Sequence, residues 1–413
     1  MNTGDTAFVI ISTALVFFMT PGLALFYGGM VRRKNVLNTI FSSFFIAGLA
    51  AIMWVLIGYS LSFGKDVGGV IGNFQWFGLH GVTWDPNTDY AATIPHNLFA
   101  AFQMMFAVIT PALITGALVE RMRFSALFVF VIAWSIIVYY PLAHMVWGMG
   151  GFLKELGVVD FAGGIVVHIS SGISALVACI MLGKRKGIGM TTYRPHSIPL
   201  VFIGASLLWF GWFGFNAGSA LGANGLAVHA LLTTNTSGAA ALLSWMLVEK
   251  LQRGKTTLLG AATGAIVGLA SITQGAGYVP VWSAALIGAI ASPICYFALG
   301  TIKNKFGYDD ALDAFGCHGI GGIWGCLATG LFAQKAINSS AQWNGLIYGD
   351  IHLFVVQLIG IATTVLLAGV GTFVIIKVID KVMKIRVSSN EESKGLDICQ
   401  HSENAYPSFL GMD

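Results

Sequence analysis

Apolar runs of about twenty residues recur along this chain, separated by short polar links, and a run of that length crosses a bilayer as a helix. Eleven runs are read: 6–30, 36–63, 96–118, 124–146, 161–182, 198–221, 226–248, 257–279, 281–301, 314–333 and 351–376. The links then sort their basic residues by side. One set carries fourteen lysines and arginines, among them Arg32, Arg121, Lys184, Arg185, Lys250 and Lys303, and the tail adds five more. The other set carries only Lys65, Lys154 and Lys335. Positive charge stays inside, so the N-terminus is expected outside and the C-terminus in the cytoplasm. Eleven spans divide as five, five and one, and an odd number in the first set forces the second to run inverted. The predicted fold is an all-α polytopic membrane protein: two inverted five-helix repeats, about 6–182 and 198–333, then helix eleven. The transmembrane domain is drawn over 1–377, with a cytoplasmic tail over 378–413.

Composition narrows the class. Of 413 residues, 56% are hydrophobic and 10% charged, with mean hydropathy +0.78. Soluble domains carry roughly a quarter charged residues, so a multi-pass protein of the cell membrane is expected. Fifty-two glycines suit closely packed membrane helices. The net charge of +4 is spread over separate links, which argues against a nucleic-acid partner. Cys179, Cys295, Cys317, Cys326 and Cys399 have no zinc-type spacing. They read as packing residues, and no metal, cofactor or enzyme activity is expected. No cleavable signal peptide is evident.

Two ionisable pairs break the apolar pattern. Asp160 precedes His168 by eight residues in DFAGGIVVHISSG, and Asp310 precedes His318 by eight in DALDAFGCHGIGG. A glycine follows each histidine at the fourth position, Gly172 and Gly322. Intramembrane ionisable groups are costly and mark an ion or proton pathway. Eight helical residues rise about 12 Å, so the two histidines approach the midplane from opposite faces. Burial disfavours charged rings, so the pair is expected neutral, sharing one proton. A structural pair of buried histidines is the plainer alternative.

At this point the residues resemble the Amt/Mep/Rh ammonium transporter family, in its bacterial-type Amt branch, over essentially residues 5–406. The matching stretches are TPGLALFYGGMVRRKN, FQMMFA, ITGALVERMRF, AHMVWGMGG, DFAGGIVVHISSG, WFGWFGFNAGSA and FGCHGIGGIWG, in order on spans one, three, four, five, six and ten. The tail GLDICQHSENAY is similar to the family's cytoplasmic tail. The resemblance implies a homotrimer with one pore per subunit. It implies an outer recruitment site of Phe106, Trp147 and Ser219, a gate of Phe106 over Phe215, and a pore past His168 and His318. Asp160, Trp212 and Thr273 match supporting positions, and Asp310 and Asp313 lie near the inner mouth. Gln274 departs from the family, where proline is common, and His229 is also unusual, reading as a polar residue near the outer surface.

Without the resemblance each of these residues has a plainer reading. Trp147 would be an interfacial belt tryptophan, Phe106 and Phe215 core packing, and Asp160 a helix N-cap. The physics of recruitment is sound, since an aromatic face attracts a cation and a hydroxyl accepts from N–H donors.

The expected function is ammonium uptake: capture outside, deprotonation at the gate, and passage of ammonia with the proton by a separate route. The alternative is an ammonium sensor, an Amt module fused to a C-terminal signalling domain. The apolar Phe409 and Leu410 at the chain's end are compatible with that or with a short natural tail. A generic water or potassium channel is disfavoured, since neither an NPA motif nor a TVGYG filter occurs. A PII-type regulator at the inner mouth is the expected partner of an ordinary transporter. Lys381, Lys384 and Arg386 are expected to anchor the tail's start at the anionic leaflet. Leu396, Ile398 and Tyr406 should then dock it under the helices.

Overall fold

The computed structural model describes residues 1–190 and 193–406, so the expectation about Phe409 and Leu410 lies outside it. Among the described residues ten helices are long and apolar enough to span a membrane. They are α1 (Thr3–Met30), α2 (Arg33–Phe63), α3 (His96–Ala117), α4 (Phe124–Glu155), α5 (Gly164–Leu182), α6 (Ile198–Gly218), α7 (Gly225–Arg253), α9 (Val281–Phe306), α10 (Phe315–Phe332) and α11 (His352–Val382). Between α7 and α9 lies α8 (Leu258–Ile272), which is apolar but only 15 residues long. Its expected span, 257–279, ends in turns held by Gly275 N–H to Ile272 O and Tyr278 N–H to Gly275 O. Helix α11 runs six residues past its expected end at 376, so the domain boundary drawn at 377 falls within its last turns. Among the described residues the one sheet is a two-strand hairpin, Asp66–Val67 with Ile71–Gly72, in the link after α2.

Small residues decide which helices touch. Helix α1 packs along α6, where a methyl added at Gly204 would lie 2.2 Å from the Phe26 backbone nitrogen. Helix α5 crosses α10 the same way: a methyl on Gly172 would lie 2.1 Å from the Gly319 nitrogen, and one on Gly322 would lie 3.2 Å from His168 Cβ. First packs on first and fifth on fifth across the two groups of five. The glycines that follow each histidine are the points of closest approach, because only there can the two backbones meet without a Cβ between them.

The tail is docked. After α11 come two short helices, α12 (Ser389–Lys394) and α13 (Leu396–His401), the first opened by a reciprocal Ser388–Glu391 capping box. Asn38 N–H donates to Asp397 Oδ1 at 2.8 Å, Leu396 N–H to Asn35 Oδ1 at 2.8 Å, and Lys34 Nζ to the Glu392 carbonyl at 3.2 Å. Leu396 is fully buried, but Ile398 is 45% exposed, against expectation. A six-residue helix can bury only the face turned to α2, and Ile398 lies on the other. Tyr406 instead bonds His196 through its hydroxyl at 3.0 Å and lies under the Arg33 guanidinium. Arg386 also departs from its expected lipid role: it donates to the Leu182 and Lys184 carbonyls and pairs with Glu392 at 2.9 Å. A guanidinium has five donors in a planar fork, and these inward acceptors occupy them.

Candidate functional site

Phe106 lies on α3, Trp147 at the end of the main run of α4, and Phe215 on α6, with Ser219 following it. The three aromatics converge. Phe106 and Trp147 have ring centroids 5.9 Å apart and nearly perpendicular, and Phe106 lies 4.4 Å from Phe215. Phe106, Trp147 and Ser219 line one cavity of about 300 Å³ on the side of the α2–α3 and α4–α5 links. Phe215 lines a second, narrow cavity of about 20 Å³ together with Trp212, His168 and His318. The buried Phe106–Phe215 pair is thus the partition between the two spaces.

Asp160 orders the wall of the upper cavity. Its carboxylate accepts from the backbone N–H of Gly163, Gly164, Ile165 and Val166 at 2.7–3.1 Å, while its carbonyl accepts from Trp147 Nε1 at 2.9 Å. The helix-cap reading and the supporting reading are both geometrically present in one residue. Capping four N–H groups requires the chain to fold back tightly, and Gly163 does so at φ 107°, where a side chain would be strained.

Below the partition the two imidazoles stack, with centroids 5.2 Å apart and planes 13° apart. Trp212 stacks on His168 at 5.4 Å, and its indole N–H donates to Thr273 Oγ1 at 2.9 Å. Thr273 in turn donates to the Leu269 carbonyl. Both nitrogens of His168 and Nδ1 of His318 are buried with no hydrogen-bond partner. Each histidine sits where its helix widens to i→i+5 bonding, over Gly164–Ile169 and Phe315–Ile320. Such widened turns recur at functional sites. Asp310 caps the second of them as Asp160 caps the first, accepting from Ala314 and Phe315 N–H. Asp313 also lines the narrow cavity, paired with Lys303 at 2.7 Å.

Of the nine expected site residues, Phe106, Trp147, Asp160 and Ser219 line the upper cavity and Phe215, Trp212, His168 and His318 the narrow one, while Thr273 lines neither and only holds the Trp212 indole. Sequence reasoning missed Gln103, Lys154 and Tyr278, which also line the upper cavity. The Gln103 side-chain oxygen is buried there without a partner. Its position one turn before Phe106 was the available signal. Gln274, placed where proline was expected, donates to the Val159 carbonyl and to Cys326 Sγ, and so ties the link before Asp160 to α10. His229 bonds the Val279 carbonyl at 2.8 Å. Among the described residues no cluster of three metal-ligating side chains occurs.

Residues 7–406 match the model described as Ammonium Transporter Family. This chain belongs to the ammonium transporter family. It is 51% identical to the ammonium transporter of Bacillus subtilis (strain 168) over 98% of its own length and 99% of that protein's. Its fold matches the crystal structure of Saccharomyces cerevisiae Mep2 with a TM-score of 0.89 at 33% identity, covering 100% of this chain and 93% of that one. It also matches a solved chain titled Sensor Amt Protein, with a TM-score of 0.88 at 29% identity over 96% of this chain and 98% of the other. As a family member with ten apolar helices, it is a multi-pass protein of the plasma membrane.

Proposed function

We propose that this protein conducts ammonium across the membrane. The cation is held in the cavity of Phe106, Trp147 and Ser219, where aromatic faces and a hydroxyl replace part of its water shell. It loses a proton at the Phe106–Phe215 partition, because a bare cation in the narrow apolar cavity beyond would cost several kcal/mol or more. Ammonia then passes the imidazole pair, and the proton follows by a separate route that includes those rings. The observation that carries this reading is the set of three unpartnered ring nitrogens, on His168 and His318, in that mostly apolar space. Buried polar atoms are ordinarily satisfied, and a small molecule that both donates and accepts would satisfy these.

The arrangement in the membrane belongs to the same proposal: α8 as the eleventh span, the N-terminus outside, the second five helices inverted, and three copies forming the assembly. A PII-type regulator at the inner mouth fits the transport reading. The sensor reading keeps one specific support, the likeness to the chain titled Sensor Amt Protein. A solid-supported-membrane recording on proteoliposomes separates the two. An ammonium jump should give a current that saturates with concentration; no current from folded protein would favour sensing.

A further inference from the structure

The cavity proposed to recruit a cation already holds one of the chain's own. Among the described residues that line it, Lys154 is the one cationic side chain. Its Nζ donates to the Trp147 carbonyl at 3.1 Å, rests 3.2 Å from Met149 Sδ, and lies 5.9 Å over the Tyr90 ring. These are a carbonyl, a thioether and an aromatic face, the kinds of group an ammonium ion would itself use. The lysine head is an alkylammonium seated on the rim of the site.

Two carboxylates share the cavity with it, Asp160 and Asp89. Asp160 keeps its charge but turns both oxygens to four backbone N–H groups, and so offers no free oxygen to an incoming ion. Asp89 is exposed, as is Glu155 beside Lys154 in the chain, so water screens both. Like charges in a partly dry cleft repel more strongly than in open solvent. We infer that Lys154 is a built-in positive charge that weakens cation capture at the outer site. This rests on the transport reading above.

A purely structural lysine, a prop for the Trp147 backbone, predicts the opposite sign. Losing the prop would disorder Trp147 and raise the ammonium concentration needed for half-maximal current. Losing a repelling charge lowers it. Lys154→Gln keeps a donor for the carbonyl and removes the charge, whereas Lys154→Arg keeps both. With ammonium chloride jumps on proteoliposomes, Lys154→Gln should lower the half-saturation concentration by about threefold to tenfold at low salt, and Lys154→Arg should match the parent. A half-saturation in Lys154→Gln that is unchanged or raised would overturn the inference; should that variant fail to fold, Lys154→Met, which also removes the charge, is read against the same criterion. Absence of current from the parent would sink the transport reading and this inference together. A conducting parent with an unaltered Lys154→Gln sinks only the role of Lys154.

Discussion

At the scale of single residues, the site is built from side chains left deliberately without partners beside side chains that are fully used. Asp160 spends every acceptor on backbone, while His168 spends neither ring nitrogen. This difference separates scaffold from chemistry. His168→Ala or His318→Ala should abolish the ammonium-induced current or change ammonium-over-potassium selectivity while the protein stays folded. Both variants retaining parental current and selectivity would remove the imidazoles from the pathway. Trp147 lines the upper cavity and anchors its N–H on the Asp160 carbonyl. Trp147→Leu should raise the half-saturation concentration by an amount matching about 1–2 kcal/mol, roughly fivefold to thirtyfold. An identical concentration dependence would return Trp147 to the role of a belt residue.

At the scale of elements, His168 and His318 stack because α5 and α10 can touch. A methyl on Gly172 meets backbone of the facing helix, which cannot rotate out of the way. Gly172→Ala should therefore force the helices apart and cost about 1–3 kcal/mol, read as a lower midpoint in thermal unfolding of detergent-solubilised protein. Gly48→Ala on α2 is the contrast, since a methyl there meets nothing within 4 Å. It should be neutral or slightly stabilising. Equal losses in the two variants would mean that glycine is needed for flexibility rather than for close approach.

At the scale of the whole molecule, a buried ion network joins the link after α3, the link after α5, the link before α10 and the tail. Arg185 bridges Glu120 at 3.1 Å and Asp309 at 2.9 Å, and Arg32 reaches Glu120 at 2.9 Å. Burial alone would raise the Asp309 carboxyl, but hydrogen bonds from Arg185 and the charge of Arg121 outweigh it and bring it down to about 2. A carboxyl depressed on folding stabilises above its unfolded pKa of about 4 and loses that contribution as pH falls toward 2. The stability of detergent-solubilised protein should therefore drop by about 2 kcal/mol from this group across that window, and the drop should be absent in Asp309→Asn. Glu392 carries the network into the tail through Arg386, and Lys186 N–H also donates to it at 2.5 Å. Amides of α13 should then exchange slowly in hydrogen-exchange measurements. Full, fast exchange over 395–401 would mean the tail is undocked in solution and would end any coupling of tail to pore.

What the chain alone determined follows from the bilayer, which admits only long apolar helices and makes buried ionisable groups expensive. Span positions, the two Asp–His spacings and the glycines after them were legible because each is a local, one-dimensional consequence of that solvent. The extent of α8 and α11 was not, because where a helix frays depends on what its last turns pack against. Nor was the inward turn of Arg386, which follows from carbonyls at 182 and 184 that lie far away in sequence. The stacking of His168 on His318, the closure of Phe106 on Phe215 and the seating of Lys154 over the Tyr90 ring each join residues from different elements. Contacts of that kind are set by the close packing of helices around small residues, and only the tertiary structure decides them.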